Sequence, residues 1–394
     1  MTGGIGGRIV IEAGGVVTPI GQDLETFWSS LVTGASGITD IDRFPVADLR
    51  VRRGGEIKEL SRIKAWGRVP DCRATRLLVS AADELAAHGG VHAVPSSRLA
   101  VVVGTALGGV EEGERALAGD GRRRRLRDAL YDAPAHNLAR WLGAQGPVTT
   151  VSTACASGAT AMALGAELLR SGEADAVVAG GYDILCRFVM RGFDAMRVLT
   201  RDQVRPFDRR RSGVLLGEAA ALVLLRRERD APGPRLGTLL GYGSASDAAH
   251  ISAPDPEGRG LERAVRAALR DAGIGPEAID FVSAHGTGTA LNDPIEAAVL
   301  WRVLGPRTPA VPVNSIKPSL GHTMGAAATL EALMCLGASR SGLIPPTLNL
   351  DEPDPACALD HVRGGPRAAR PRISLSTSLG FGGCNGALVL EGVV

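Results

Sequence analysis

The segment Val151-Ser152-Thr153-Ala154-Cys155-Ala156-Ser157-Gly158-Ala159 runs a β-leaning start into a cysteine and then into small residues, and a helical pattern continues from Thr160 to Arg170. It reads as strand, tight turn and helix, with Cys155 at the turn. A thiol placed there lies near the free N–H groups and the positive end of a helix, and both favour thiolate over thiol. The helix is rich in Ala, Gly, Met and Leu, so it can be buried at close range against other elements. Taken by itself, the segment also fits a buried structural cysteine.

Working outward, Leu99-Ala100-Val101-Val102-Val103-Gly104 is a continuous apolar run whose length and β-branching predict a buried strand. A glycine-containing loop, Thr105 to Gly109, follows it. Toward the N-terminus, Arg8 to Ala13 predicts a strand and residues 23–31 a helix. Residues 38–66 predict a polar excursion. Asp71 to Ala87 predicts a helix that turns Leu77, Leu78, Ala81 and Leu85 inward. The run Arg122 to Arg125 reads as a solvated loop or helix end, or as a docking patch for an acidic partner. Beyond the cysteine helix, Ala174 to Gly181 predicts a buried strand, residues 182–200 a helical or irregular cap, and Glu218 to Leu225 another strand. Arg227 to Pro234, charged and carrying two prolines, is the expected junction.

The pattern then repeats. Leu239 to Ser244 predicts a strand. Gly258 to Ala272 predicts an amphipathic helix with Leu261, Val265 and Leu269 on one face. Ile279 to Ala284 predicts a strand ending in His285-Gly286-Thr287-Gly288-Thr289. Asp293 is the expected N-cap, with Pro294 at the first helical position of a helix through Trp301. After a strand at Val311 to Ile316, Gly321 to Leu336 predicts a second small-residue helix, the counterpart of the one after Cys155. Strands at Ile373 to Thr377 and Ala387 to Leu390 flank Gly380-Phe381-Gly382-Gly383. Strands apolar throughout, alternating with helices, predict α/β layers in two halves, residues 1–233 and 234–394. The reactive-looking residues fall just past strand ends, where such folds place their sites.

Composition narrows the function. A formal net charge of +2 gives a nucleic-acid role no support, and no apolar stretch reaches the length of a membrane span. The scattered cysteines Cys72, Cys155, Cys186, Cys335, Cys357 and Cys384 form no CxxC pair, and no basic-then-apolar leader is seen, so a reduced cytoplasmic protein is expected. Lysine occurs only at positions 58, 64 and 317, which draws attention to Lys317. It stands in Lys317-Pro318-Ser319-Leu320-Gly321-His322-Thr323, so His322, like His285, sits beside a glycine turn. One Cys and two His could bind zinc, but neither short ligand spacing nor a carboxylate or cysteine cluster completes such a site.

Together these segments resemble the elongating β-ketoacyl-[acyl-carrier-protein] synthases of type II fatty-acid and polyketide systems. The match runs from about Val16 to Asn385. It rests on Thr153-Ala154-Cys155-Ala156-Ser157-Gly158, on His285-Gly286-Thr287-Gly288-Thr289 with Asn292-Asp293 and Glu296, on Ser315 to Ala327, and on Gly380-Phe381-Gly382-Gly383-Cys384-Asn385. Arg205-Pro206-Phe207-Asp208 and Ser246-Asp247-Ala248-Ala249-His250 add to it. The resemblance implies an α/β, duplicated thiolase-like fold, layered α-β-α-β-α with two mixed central sheets, in a tight dimer, homodimer or heterodimer with a chain-length-factor-like chain. It implies Cys155 as acyl-accepting nucleophile, and His285 and His322 as stabilisers of the enolate formed when malonyl-carrier protein loses carbon dioxide. Lys317 would support the histidines with Glu296, and the backbone of Cys155 and Phe381 would form the oxyanion hole. Phe381, Leu379, Leu107 and Phe193 would form the gate and acyl pocket, with Thr287, Thr289 and Asn385 in support. No metal or organic cofactor is expected. Acyl carrier protein is the expected partner, docking on Arg62, Lys64 and Arg68 or on the run around Arg124. Two other readings share the fold: an inactive chain-length-factor-like partner, which lacks the cysteine, and a non-condensing acyltransferase.

The chain departs from the family pattern in places. Glu12-Ala13 replaces Thr-Gly, Ser212-Gly213-Val214 replaces Asp-Gly-Phe, Ala219 replaces Gly, Thr377-Ser378-Leu379 replaces Asn-Ser-Phe, and the segment from Leu199 to Arg205 is short. These changes leave the three catalytic side chains in place and point to a specialised pathway.

Overall fold

The computed structural model describes residues 7–61, 67, 69–119, 123–231 and 233–393. Five strands of the first half lie in the order Ile9–Val17, Ala219–Arg227, Ala176–Asp183, Leu99–Gly104, Val148–Val151, paired antiparallel, antiparallel, parallel, parallel. The second half repeats that order and sense with Gly237–Ser246, Cys384–Gly392, Ile373–Gly380, Phe281–Ser283 and Pro312–Asn314, then adds Asp360–His361 at its edge. The duplication seen as a repeated pattern is thus a repeated topology. The two expected sheets are joined. Ile9–Ile11 pairs with Gly237–Leu239 over three positions, which makes one continuous eleven-stranded ladder.

Strand alternation explains the layering. In Ala219–Arg227, Ala219, Ala221, Val223 and Leu225 enter one apolar cluster, and Ala220, Leu222 and Leu224 another. Both faces are therefore buried, which is why the run is apolar without a polar face. The first cluster holds the central helices Ser157–Arg170 and Ala327–Ser341 between the two half-sheets. The second packs the helices Arg73–His88 and Ala133–Leu142 on the outside of the first half. A third does the same for Arg259–Ala272 and Asn292–Leu304 on the second half. The layers run α-β-α-β-α.

Close approach of the central helices needs their small residues. A Cβ on Gly158 would stand 2.7 Å from both the Gly325 carbonyl oxygen and Thr329 Oγ1. The helix expected from Gly321 starts later. Lys317–Leu320 forms a single turn, Met324–Ala326 a tight 3-10 turn, and the α-helix begins at Ala327. Gly321 has φ 75° and Met324 φ 48°, both outside the helical region, and this break frees His322 from the helix. Asp293 is not a cap. It is the second helical residue, and its carboxylate accepts from the Phe207 N–H at 2.8 Å and the Gly288 N–H at 3.2 Å. Those buried loop amides need an acceptor more than the helix start does.

The excursion at 38–66 contains the small hairpin Ile38–Asp40 with Arg53–Gly55, and the cap contains the helix Arg187–Ala195. Within the arginine run, Arg125 is not solvated: it reaches Glu112, a buried carboxylate. Glu12, which departs from the family pattern, pairs with Arg226 at 2.7 Å and accepts from the Gly90 N–H. Among the described residues no helix is long and apolar enough to cross a membrane.

Candidate active site

Cys155 stands between the strand Val148–Val151 and the helix Ser157–Arg170, as its sequence setting predicts. The preceding Ala154 has φ 50°, a conformation costly for a side-chain-bearing residue. Ser157 holds this turn: its Oγ accepts from the Thr153 N–H at 2.9 Å and donates to the Ala154 carbonyl at 2.6 Å. His322 arrives from the other half. Its N–H donates to the Leu215 carbonyl at 2.7 Å, and its own carbonyl accepts from the Gly217 N–H at 3.0 Å.

The result is direct contact. His322 Nε2 lies 2.9 Å from Cys155 Sγ. The rings of His285 and His322 meet edge to face with centroids 5.3 Å apart. One ligand-capable atom from each of the three residues falls within 4.8 Å of the others, and all three residues are buried. They line a cavity of about 270 Å³ together with Phe193, Val214, Thr287, Thr289, Leu379, Phe381 and Asn385. The Phe193 and Phe381 rings touch at 5.7 Å between centroids. Leu107 does not line this cavity. It borders a separate depression with Val110, Leu117 and Phe188. Arg62, Lys64 and Arg68 lie outside the described residues, as does the side chain of Arg124.

Lys317 is paired differently from the expectation. Its Nζ meets Glu331 Oε1 at 2.7 Å, with side chains 2% and 1% exposed. Glu296 instead fixes the His285 turn. It accepts from the His285 N–H at 2.7 Å, the Gly286 N–H at 2.8 Å and the Thr377 hydroxyl at 2.6 Å. Glu331 went unnoticed in the sequence, although a lone acid within Ala327-Ala328-Thr329-Leu330-Glu331-Ala332-Leu333-Met334 was a readable signal. A charge on a helix buried all round needs a partner, and one of only three lysines lies fourteen positions before it.

Electrostatics corrects one expectation and supports another. Burial pushes the Cys155 thiol up to about 12, against the pull of the Lys317 charge and of the Phe381 N–H directed at the sulfur. The resting group is therefore a thiol, because loss of water outweighs the Lys317 charge and the Phe381 N–H. Burial, then Lys317, hold His322 well below 6.5, and burial, Lys317 and His322 do the same for His285. Both imidazoles are neutral at pH 7. A neutral His322 can take the thiol proton across its 2.9 Å contact, so the nucleophile is made by the neighbouring base. The same three side chains offer donors to a metal, but no fourth His, Cys, Asp or Glu joins the group among the described residues. The Lys317 charge felt by both rings would oppose a dication there.

A duplicated five-layered α/β fold, with a cysteine at the strand-to-helix turn of one half and two histidines from the other, defines the thiolase-like condensing-enzyme class. The chain belongs to the β-ketoacyl synthase family: residues 7–231 match the beta-ketoacyl synthase N-terminal domain, and residues 236–351 the C-terminal domain. It is 33% identical to 3-oxoacyl-[acyl-carrier-protein] synthase 2 of Synechocystis sp., over 98% of each chain. It is 37% identical to the tetracenomycin polyketide synthase ketoacyl synthase alpha subunit of Streptomyces glaucescens, over 97% of this chain and 96% of that one. Among solved structures it resembles the ishigamide ketosynthase/chain length factor, with a TM-score of 0.91 and 35% identity over 99% of this chain and 100% of that one.

Proposed function

We propose that this protein carries out decarboxylative condensation of a Cys155-bound acyl group with a malonyl thioester on acyl carrier protein. The observation that carries the reading is the convergence of Cys155, His285 and His322, from distant parts of the chain, on one cavity.

In the first half-reaction the Cys155 sulfur attacks the acyl thioester while His322 Nε2 takes its proton. The tetrahedral oxyanion would be held by the N–H groups of Cys155 and Phe381. The carrier thiolate leaves and takes a proton from solvent, while His322 gives up its Nδ1 proton and enters the second half-reaction as the neutral Nε2–H tautomer. In the second, the malonyl carboxylate leaves as carbon dioxide and its bonding electrons move into the thioester carbonyl. Charge develops on that oxygen, where two preorganised neutral N–H donors act most strongly. The enolate carbon attacks the acyl-Cys155 carbonyl, forming the new C–C bond. The S–C bond breaks, and the cysteine thiolate takes up a proton from solvent. The products are β-ketoacyl-carrier protein, carbon dioxide and the free enzyme. These steps need no metal or organic cofactor, and we assign none.

Carrier protein as partner is supported by AntDE:AntF, a structural neighbour at 25% identity and TM-score 0.91, described as a type II acyl-carrier protein in complex with its ketosynthase. Dimerisation is supported by Val148–Val151, which ends the sheet with one edge open, and by exposed Leu117, Leu126, Leu130 and Phe188. A chain-length-factor partner is favoured by the complex of ApeO with ApeC, a neighbour with a TM-score of 0.84 and 32% identity. Val214, smaller than the family's Phe, lines the cavity and favours a specialised pathway over housekeeping elongation. The free, mostly buried cysteines fit a cytoplasmic setting.

The test is to incubate the protein with acyl- and malonyl-carrier protein and follow intact mass and carbon dioxide release. An acyl adduct on Cys155 followed by malonyl-dependent extension is expected. An adduct without extension would leave the acyltransferase reading, and no adduct at any chain length the inactive-partner reading.

A further inference from the structure

The glycine-rich turn that carries Phe381 is tied to the segment between Ser246 and Asp255 by three bonds. Asn385 Nδ2 donates to Asp247 Oδ1 at 2.7 Å, the Asp247 N–H donates to the Gly383 carbonyl at 2.8 Å, and the Gly382 N–H donates to the Ile251 carbonyl at 2.9 Å. The last is the contact adjacent to Phe381. Gly382 and Gly383 have φ of 78° and 73° and no side chains, so little in the turn itself fixes where it rests. The Ile251 side chain is 82% exposed, so its packing does not set the direction of its carbonyl.

That direction is set from the opposite side. His250 Nδ1 accepts from the Ser252 N–H and the Ala253 N–H, each at 3.1 Å. The Ser252 N–H and the Ile251 carbonyl belong to one peptide unit, which is planar and trans, so they point in opposite directions. An imidazole that captures the N–H aims the carbonyl away from itself, onto Gly382. Ser252 and Ala253 also line the cavity, so the same turn shapes the wall facing Phe381.

From this geometry we infer that His250 is a positioning residue for the Phe381 turn. Its ring accepts through Nδ1, which leaves the ring proton on Nε2, and so orients the Ile251–Ser252 peptide that holds Gly382. His250 touches no reacting atom. It sets the rest position of the residue proposed to control entry to Cys155, and to that extent the inference rests on the condensing function proposed above.

Three substitutions test it. Asn places an oxygen the same number of bonds from Cα as Nδ1, Gln places one a bond further out, and Ala places none. Amide hydrogen exchange at Gly382 should speed up at least about fivefold in His250→Ala and His250→Gln and return to near the native rate in His250→Asn. In the acyl-transfer half-reaction, kcat should change in the Ala and Gln variants with KM for the carrier-bound donor held, and Asn should restore it. Native exchange at Gly382 in His250→Ala would overturn the inference. So would failure of Asn to outperform Gln, a comparison that stands even if the Ala variant does not fold. Exchange needs no turnover, so a native protein that fails to condense sinks the functional reading and leaves this one to be judged separately.

Discussion

Replacing Glu331 by Gln probes how the buried charge beside the histidines is held. Lys317 and Glu331 meet at 2.7 Å with almost no exposure. Burial raises the Glu331 carboxyl and the Lys317 ammonium opposes that rise, so the Glu331 charge depends on Lys317. Breaking a buried pair from one side costs about 3–5 kcal/mol, since the remaining ion has lost both water and partner. The Gln oxygen can still accept from Nζ, which returns about 1 kcal/mol. The expected loss is roughly 2–4 kcal/mol, or about 2–5 °C in Tm for a chain of this length. Lys317→Met/Glu331→Leu removes both charges and should recover most of the loss. Lys317 also depresses both imidazoles, so its removal should let them protonate at higher pH. The acid limb of the condensation rate should then move up in pH in the double variant. Calorimetry and a pH–rate profile on the same preparations read both effects. A Glu331→Gln Tm within about 1 °C of native, or a double variant less stable than either single one, would refute this account.

Three further outcomes follow from the geometry. His285 stays neutral in the fold, whereas an unfolded histidine protonates near 6.5. Below that pH the unfolded state binds the extra proton, and native stability falls by about 1.4 kcal/mol per pH unit from this group. Denaturant titrations at pH 6.5 and 5.5 should therefore show His285→Asn gaining on the native protein by up to that amount, and a gap constant with pH would contradict it. Gly158→Ala gains about 1 kcal/mol of helix propensity, but its methyl meets the Gly325 carbonyl at 2.7 Å. Overpacking of about 1–3 kcal/mol should win, lowering Tm, and a raised Tm would show that the central helices can separate at no cost. Val214→Phe projects a ring into the acyl cavity and should cut transfer of long acyl chains to Cys155 at least about tenfold while sparing acetyl, read by competition and intact mass. Equal losses for both chains would place Val214 away from the acyl path.

Much of this protein is written locally in its chain. The apolar run Leu99–Gly104 coincides with its strand because both faces are buried, and burial on both faces shows as uninterrupted hydrophobicity. Cys155, His285 and His322 were legible because each sits in a short motif beside a turn. Pairings between distant side chains were not legible. Lys317 chooses Glu331 over Glu296 because the broken helix start at Gly321–Met324 brings it along one side of the central helix. Leu107 borders a neighbouring depression and not the cavity of Cys155, and residue type does not report that. The cysteine's protonation was misjudged for the same reason. A helix end is visible in sequence, but the depth at which the fold buries the thiol is not, and burial is the largest influence on it. The sequence by itself determined which groups are present and the order of strands and helices around them. Only the tertiary structure decided their distances, their partners and their share of water, because those depend on contacts between halves far apart in the chain.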